Sequence, residues 1–261
     1  DADHLEEQYK RFFGVSSIED APQLCAAARK STSYAETTPP QMAWLCRARH
    51  LAQAVSVRPF NKARFESSLP KLRNLTLNAE DTRRVPAFLG DLGVRFLVVE
   101  HLARTRIDGA CFWLEAKYPV IVMSLRLDRI DNFWHTLTHE LGHVRHGDAV
   151  DGFNLDEDIG ERLDDKPDTE KRADAFAANF LVPKTELTSF IQRVRPLYYT
   201  DKIKGFAAKI GVHPGIVVGQ LHHRGMPFSH HRKLLAKVRE HLIGTALTDG
   251  WGHSVPLPHS N

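Results

Sequence analysis

The stretch HTLTHELGHVRHG brings two histidines and a glutamate into one short segment, where His139, Glu140 and His143 spell an HExxH motif. In an α-helix, residues four apart lie on one face about one turn from each other, so both imidazoles reach a single tetrahedral ion. A carboxylate at the motif's second position stands beside that ion, where it can take a proton from an attacking water and return it to a leaving amine. The chemistry is metal-assisted hydrolysis, and zinc (Zn2+) is the ion expected for such donors.

The helical setting of the motif is legible in its neighbours. Ile130, Phe133, Trp134, Leu137, Leu141 and Val144 recur at three- and four-residue steps and define one apolar face, with His139 and His143 on roughly the opposite side. Gly142 lies near the histidine face, where a small residue lets another element approach, and Gly147 is placed to cap the helix.

A catalytic ion needs a third protein donor and an open position. Glu170 is the expected third donor. It opens the segment in which Ala173, Phe176, Ala177, Phe180 and Leu181 form an apolar stripe, and it sits on that stripe one turn before Ala173 and Asp174. An acid on a buried stripe needs a partner, although taken alone Glu170 also reads as a first-turn acid favoured by the helix dipole. Asp174 is placed to accept a hydrogen bond from a ligand imidazole and fix its tautomer. His146 is the rival third donor. Three donors along one straight helix would spread over about 10 Å, too far for bonds of about 2 Å to one ion.

The elements that must position these groups fall into four stretches. Residues 1–92 read as helical, broken at Gly14, Pro39, Pro40 and Pro59. From Gly93 the pattern changes to period two and to short apolar runs in GVRFLVVEH, IDGACFWLEA and YPVIVMSL, which predicts three strands of one sheet. Helices over 131–146 and 169–181 follow, joined by an acidic loop that includes Asp156, Glu157 and Asp158, and Pro183 closes the second. A basic helical region, 201–245, and an unstructured tail, 246–261, complete the chain, leaving 93–200 as the core. The expected fold class is α+β.

Of the 261 residues, 42% are hydrophobic and 26% charged, which excludes disordered and collagenous classes. No apolar run approaches the roughly 18 residues of a membrane span, and DADHLEEQYKRFF has no signal-peptide core. The first residue is not Met, as in a piece of a longer protein. Cys25, Cys46 and Cys111 form no CxxC pair, so a reducing cytoplasm is the expected compartment. The formal charge of +3 is small but unevenly spread: 148–174 holds eleven acids, whereas 202–239 holds eight Lys or Arg and no acid.

The residues around the motif resemble the ImmA/IrrE metallopeptidases. In that family an HELGH helix follows a small sheet, and a second helix reads approximately E-x-x-A-N-x-F-A-x-x-x-L-hydrophobic-P. Glu170, Ala173, Asp174, Phe176, Ala177, Leu181, Val182 and Pro183 keep that register, with Asp174 at the position of the commoner Asn. The resemblance spans roughly 93–183 and implies a zincin-like core, zinc on His139, His143 and Glu170, and Glu140 as catalyst. EEQYKRFFGVSS and VHPGIVVGQLHHRG further resemble HigA-like regulators of the XRE family, which carry this module behind a DNA-binding helix-turn-helix. That likeness implies DNA binding through a domain preceding residue 1. The family resemblance also implies a protein substrate, a transcriptional repressor whose cleavage switches on stress-response or mobile-element genes.

Residues 206–221 have the rhythm of a helix-turn-helix of their own. A reading helix needs Arg, Lys, Asn or Gln toward the groove, and this one offers mainly Gly215, Ile216, Val217, Val218 and Gly219, so packing or partner docking is the favoured role. Two functions of different class remain: an active endopeptidase, or a HigA-like regulator, antitoxin-like, whose module senses or dimerises with little proteolysis. The intact HExxH favours the first. For substrate contacts, 109–114 resembles the edge strand of thermolysin-like enzymes, and the oxyanion donor is sought among Tyr198, Tyr199, His222, His223, His230 and His231.

Overall fold

A computed structural model describes residues 2–20, 28–30, 37–148, 150, 153–157 and 166–252. Cys25, Asp158 and the last nine residues of the tail lie outside them. In chain order the elements are α1 (Ala2–Phe13), β1 (Ala28–Lys30), α2 (Pro39–Ala54), α3 (Lys62–Asn74), α4 (Val85–Leu92), β2 (Arg95–Val99), β3 (Ile107–Leu114) and β4 (Tyr118–Met123). They continue with α5 (Ile130–His146), β5 (Phe153–Glu157), α6 (Asp168–Leu181), α7 (Lys184–Val194), α8 (Thr200–Ile210), α9 (Pro214–His223), α10 (Arg239–Leu242) and β6 (Leu247–Asp249). The fold is α+β.

The sheet runs β1-β5-β3-β4-β2-β6. Its centre is the hairpin β3–β4, antiparallel in the register Gly109 to Met123 through Leu114 to Tyr118, with β2 parallel to β4. Side chains alternate between the two faces with the pleat. Leu97, Val99, Ala110, Phe112, Val120 and Val122 meet Trp44, Leu45, Ala48 and Ala52 of α2. Phe96, Val98, Cys111, Ile121 and Met123 meet the other core, which contains Phe133, Trp134, Leu137 and Leu141 of α5. Burial on both faces explains why these strands read as nearly continuous apolar runs rather than strict alternations.

The three central strands and both motif helices lie where periodicity predicts them. The chain departs from expectation in three places. The region 1–92 contains a strand, β1, which pairs in parallel with β5, and β5 itself stands within the acidic loop. Both are short and gain their order from partners distant in sequence, which local pattern cannot register. The edge-strand reading of 109–114 is also overturned, because β3 is flanked by β5 on one side and β4 on the other. Finally, β6 pairs with β2, and Trp251 donates from Nε1 to the Glu100 carbonyl at 2.8 Å, so the chain just before the undescribed tail is tied down.

The turn between α8 and α9 is made at Gly211, whose φ of 73° is the left-handed cap that ends α8. From Gly215 to His222 every residue of α9 is buried, and the helix packs against α5. Gly215, Ile216, Val217, Val218 and Gly219, the residues this helix would have turned to a DNA groove, are therefore engaged in packing. Among the described residues no helix is long and apolar enough to cross a membrane.

Candidate metal centre

The 17 residues of α5 form the central helix of the site, buried continuously from Thr136 to Val144. Both its faces are covered: the apolar one by the sheet, and the histidine one by α6. Gly142 permits the second contact, since a Cβ there would lie 3.0 Å from the Ala173 Cα of α6. Gly147 ends α5 with a φ of 74°, as its type predicts. The chain enters α6 with Asp168 and Glu170 in its first turn, where the helix dipole favours acids, and Val182 and Pro183 end it.

This packing brings His139, His143 and Glu170 together, all buried, with one donor atom of each lying within 4.8 Å of the others. The closest approaches are tighter. His139 Nε2 lies 3.1 Å from His143 Nε2 and 3.1 Å from Glu170 Oε2, and His143 Nε2 lies 3.4 Å from Glu170 Oε1.

The outer nitrogens of both rings face carboxylates. His139 Nδ1 lies 2.9 Å from Asp174 Oδ1, and His143 Nδ1 lies 3.1 Å from Asp148 Oδ2. A proton on each Nδ1 gives that nitrogen an acceptor and leaves each Nε2 with a lone pair directed inward. Each carboxylate is itself held by a cation: Asp174 Oδ2 accepts from Lys166 Nζ at 2.8 Å, and Asp148 Oδ1 from Arg172 Nη2 at 3.4 Å. Burial works to raise the Asp174 carboxyl, but the contacts with His139 and Lys166 outweigh it and hold the group at about 2. Burial likewise opposes ionisation of Asp148, and His143 and Arg172 prevail, placing it below the usual carboxylate range. Both therefore stay ionised near neutrality.

Glu140 is fully buried and points toward β3. A Cβ at Gly109 would fall 2.5 Å from Glu140 Oε1 and 2.9 Å from the Thr136 methyl, so only glycine leaves this carboxylate its place. The strand beside the site also fixes the helix end, through Trp113 Nε1 donating to the Asp148 carbonyl at 2.9 Å.

The other residues singled out from sequence separate cleanly. His146 is exposed, with its Nδ1 2.7 Å from the Gly142 carbonyl, and turns away from the centre. Of the six candidates for an oxyanion donor, Tyr199 is exposed, His222 Nε2 meets the His230 carbonyl at 3.0 Å, and His231 Nδ1 meets Thr200 Oγ1 at 3.3 Å. Tyr198 packs on the core. His223 alone of these has a ring contact with α5, 5.7 Å from His135, which lies one turn before His139. Those two histidines line a cavity of about 240 Å³ with Asp108, Arg126, Asn132 and Gln220.

Sequence reasoning passed over Asp148, Lys166 and Gly109. Asp148 carried a signal, as the acid directly after the capping glycine of a histidine-bearing helix. Gly109 interrupts an apolar strand, which marks a close approach. Lys166 carried none.

Residues 91–222 match the model of the peptidase M78 family, described as the IrrE N-terminal-like domain, over half of the chain. The match begins at the end of α4 and continues past α6 through α7, α8 and nearly all of α9. No curated protein matches the chain.

Proposed function

The chain belongs to the peptidase M78 family of IrrE-like domains, and from that premise we propose that it is a zinc-dependent endopeptidase with a zincin-like core. His139, His143 and Glu170 hold the ion, Glu140 is the general base, and the substrate is a protein partner, a transcriptional repressor whose cleavage regulates stress-response or mobile-element genes.

One observation carries the metal assignment. Donors about 2.0 to 2.1 Å from a tetrahedral ion stand about 3.3 Å from one another. Here the two Nε2 atoms are 3.1 Å apart, and the Glu170 carboxylate lies 3.1 Å from His139 through Oε2 and 3.4 Å from His143 through Oε1, with one donor atom of each residue within 4.8 Å of the others. The donor set supports the same reading: two imidazoles and one carboxylate are the ligands of a family of catalytic zinc sites. When bound, zinc supplies Lewis acidity toward a scissile carbonyl and lowers the pKa of water.

The protein's own groups account for the rest. Asp174 and Asp148 hold the two imidazoles in the tautomer that turns Nε2 inward. Glu140, between the two ligands in sequence and enclosed by Gly109 and Thr136, accepts the proton of the attacking water and delivers it to the leaving nitrogen. Burial of His139, Glu140, His143 and Glu170 strengthens these electrostatic contacts relative to water.

Elemental analysis of the purified protein beside its His139→Ala variant tests the ligand set: near-stoichiometric zinc is expected in the first and not in the second. Incubation with a proteome-derived peptide library, read by mass spectrometry for new termini, tests the reaction. New termini should arise with the unmodified protein and not with Glu140→Gln, which should retain its zinc. A protein that stays empty when zinc is supplied would sink the reading and favour a regulator without proteolysis.

A further inference from the structure

On the side of α6 facing away from the sheet lies an open groove of about 790 Å³, a volume within the range of ligand clefts. Its walls carry Arg145, Arg172, Lys184 and Arg224, with His146 at one end, and none of its lining residues is acidic. These cations come from four separate elements: α5, α6, the start of α7 and the residue that follows α9. Phe176 and Phe180 line it as well, and the Arg145 guanidinium lies 5.1 Å over the Phe176 ring.

The groove is only partly neutralised by its surroundings. Arg145 pairs with Glu66 at 2.8 Å and Arg172 with Asp148 at 3.4 Å, both acids lying outside the lining. Arg224 reaches a hydroxyl, Thr188 Oγ1, at 3.4 Å. Lys184 and Arg224 are exposed, as are His146 and Arg172.

We propose that this groove is a docking site for an acidic segment of a protein partner, one in which Asp or Glu alternates with apolar side chains. Carboxylates meet arginine and lysine around the rim, and the partner's apolar side chains settle on Phe176 and Phe180. Arginine clusters recognise acidic motifs in this way, and the planar guanidinium suits a carboxylate's two oxygens. A nucleic acid fits less well. Backbone tracking calls for a continuous basic stripe on a strongly basic domain, whereas this chain carries a net +3 and the cations surround an apolar floor. None of its lining residues is a proposed metal ligand, and Arg172 alone of its cations also contacts Asp148 beside His143.

Fluorescence anisotropy with a labelled peptide that alternates Glu with Leu and Phe tests the proposal. The peptide should bind in a salt-dependent manner, its Gln-for-Glu counterpart should not, and a Lys184→Glu/Arg224→Glu variant should bind at least about tenfold more weakly. Both positions are exposed, and Lys184→Gln/Arg224→Gln, expected to show a smaller loss, serves if charge reversal disturbs folding as judged by circular dichroism. Equal binding of the Gln peptide, no loss in either variant, or binding of a labelled DNA duplex in place of the acidic peptide would overturn it.

Discussion

Asp174 Oδ1 lies 2.9 Å from His139 Nδ1, on the far side of the imidazole from Glu170, and the same carboxylate accepts from Lys166 at its other oxygen. Asp174 follows Glu170 by one helical turn, so a single helix supplies both an inward donor and the group that orients a second donor. An Asn at this position could accept the same hydrogen bond, but it would carry no charge to draw Lys166.

Replacing Asp174 by Ala should therefore weaken zinc binding about 10- to 100-fold while leaving the ligands in place. Competition with a chromogenic chelator reads this directly. Unchanged affinity would mean that the carboxylate does not orient His139.

The other ring offers an independent comparison. Asp148→Ala removes the acceptor of His143 Nδ1 but leaves the backbone carbonyl that Trp113 uses. A loss of zinc affinity of the same order, about 10- to 100-fold, is expected from the same competition assay. A loss confined to thermal stability would assign Asp148 to the helix end alone.

Gly109→Ala places a methyl carbon 2.5 Å from Glu140 Oε1, with the Val122 carbonyl 3.3 Å away on the other side. The glutamate must move, and none of the three metal donors must. Zinc content should hold while turnover on a cleaved peptide falls about 100-fold, the cost of misplacing a reacting group by roughly 1 Å. Wild-type turnover in this variant would dissociate Glu140 from the reaction.

His135 sets a pH dependence of stability. Burial, followed by repulsion from His223, lowers its pKa from 6.5 to about 3. A histidine that resists protonation when folded binds its proton more readily when unfolded, so folding stability is full above about pH 6.5 and declines as pH falls toward 3. Asp174, held at about 2, adds to the loss only below its ordinary 3.8. The melting temperature of His135→Gln should accordingly vary less between pH 6.5 and 4 than that of the unmodified protein, and parallel curves would remove His135 from this role.

The centre was legible to the extent that its parts are local. His139, Glu140 and His143 share one helix, and Glu170 and Asp174 share another, so helical spacing places each set without knowledge of the fold. The step between the helices was legible too, because Gly142 and Ala173 leave room for close approach. Asp148 stands just past the Gly147 cap and Lys166 just before α6, where the helical repeat does not extend, and Gly109 acts from a strand about 30 residues earlier, a relation that no period encodes. The same reason hid β1, β5 and β6. The edge-strand reading of 109–114 failed because an apolar strand's pattern states that it is buried, not which neighbour buries it.

The donors His139 and Glu170, 31 residues apart in sequence, sit on two helices that meet face to face at Gly142. An ion shared between them acts as a reversible cross-link closing that span of chain. Because its donors come together only in the folded chain, such an ion would stabilise that state by mass action and would tie α6 to α5. Loading with metal thus becomes a mechanical property of the second helix. The amides of α6 should exchange with solvent more slowly as zinc is added, while those of α2, on the far side of the sheet, keep their rate.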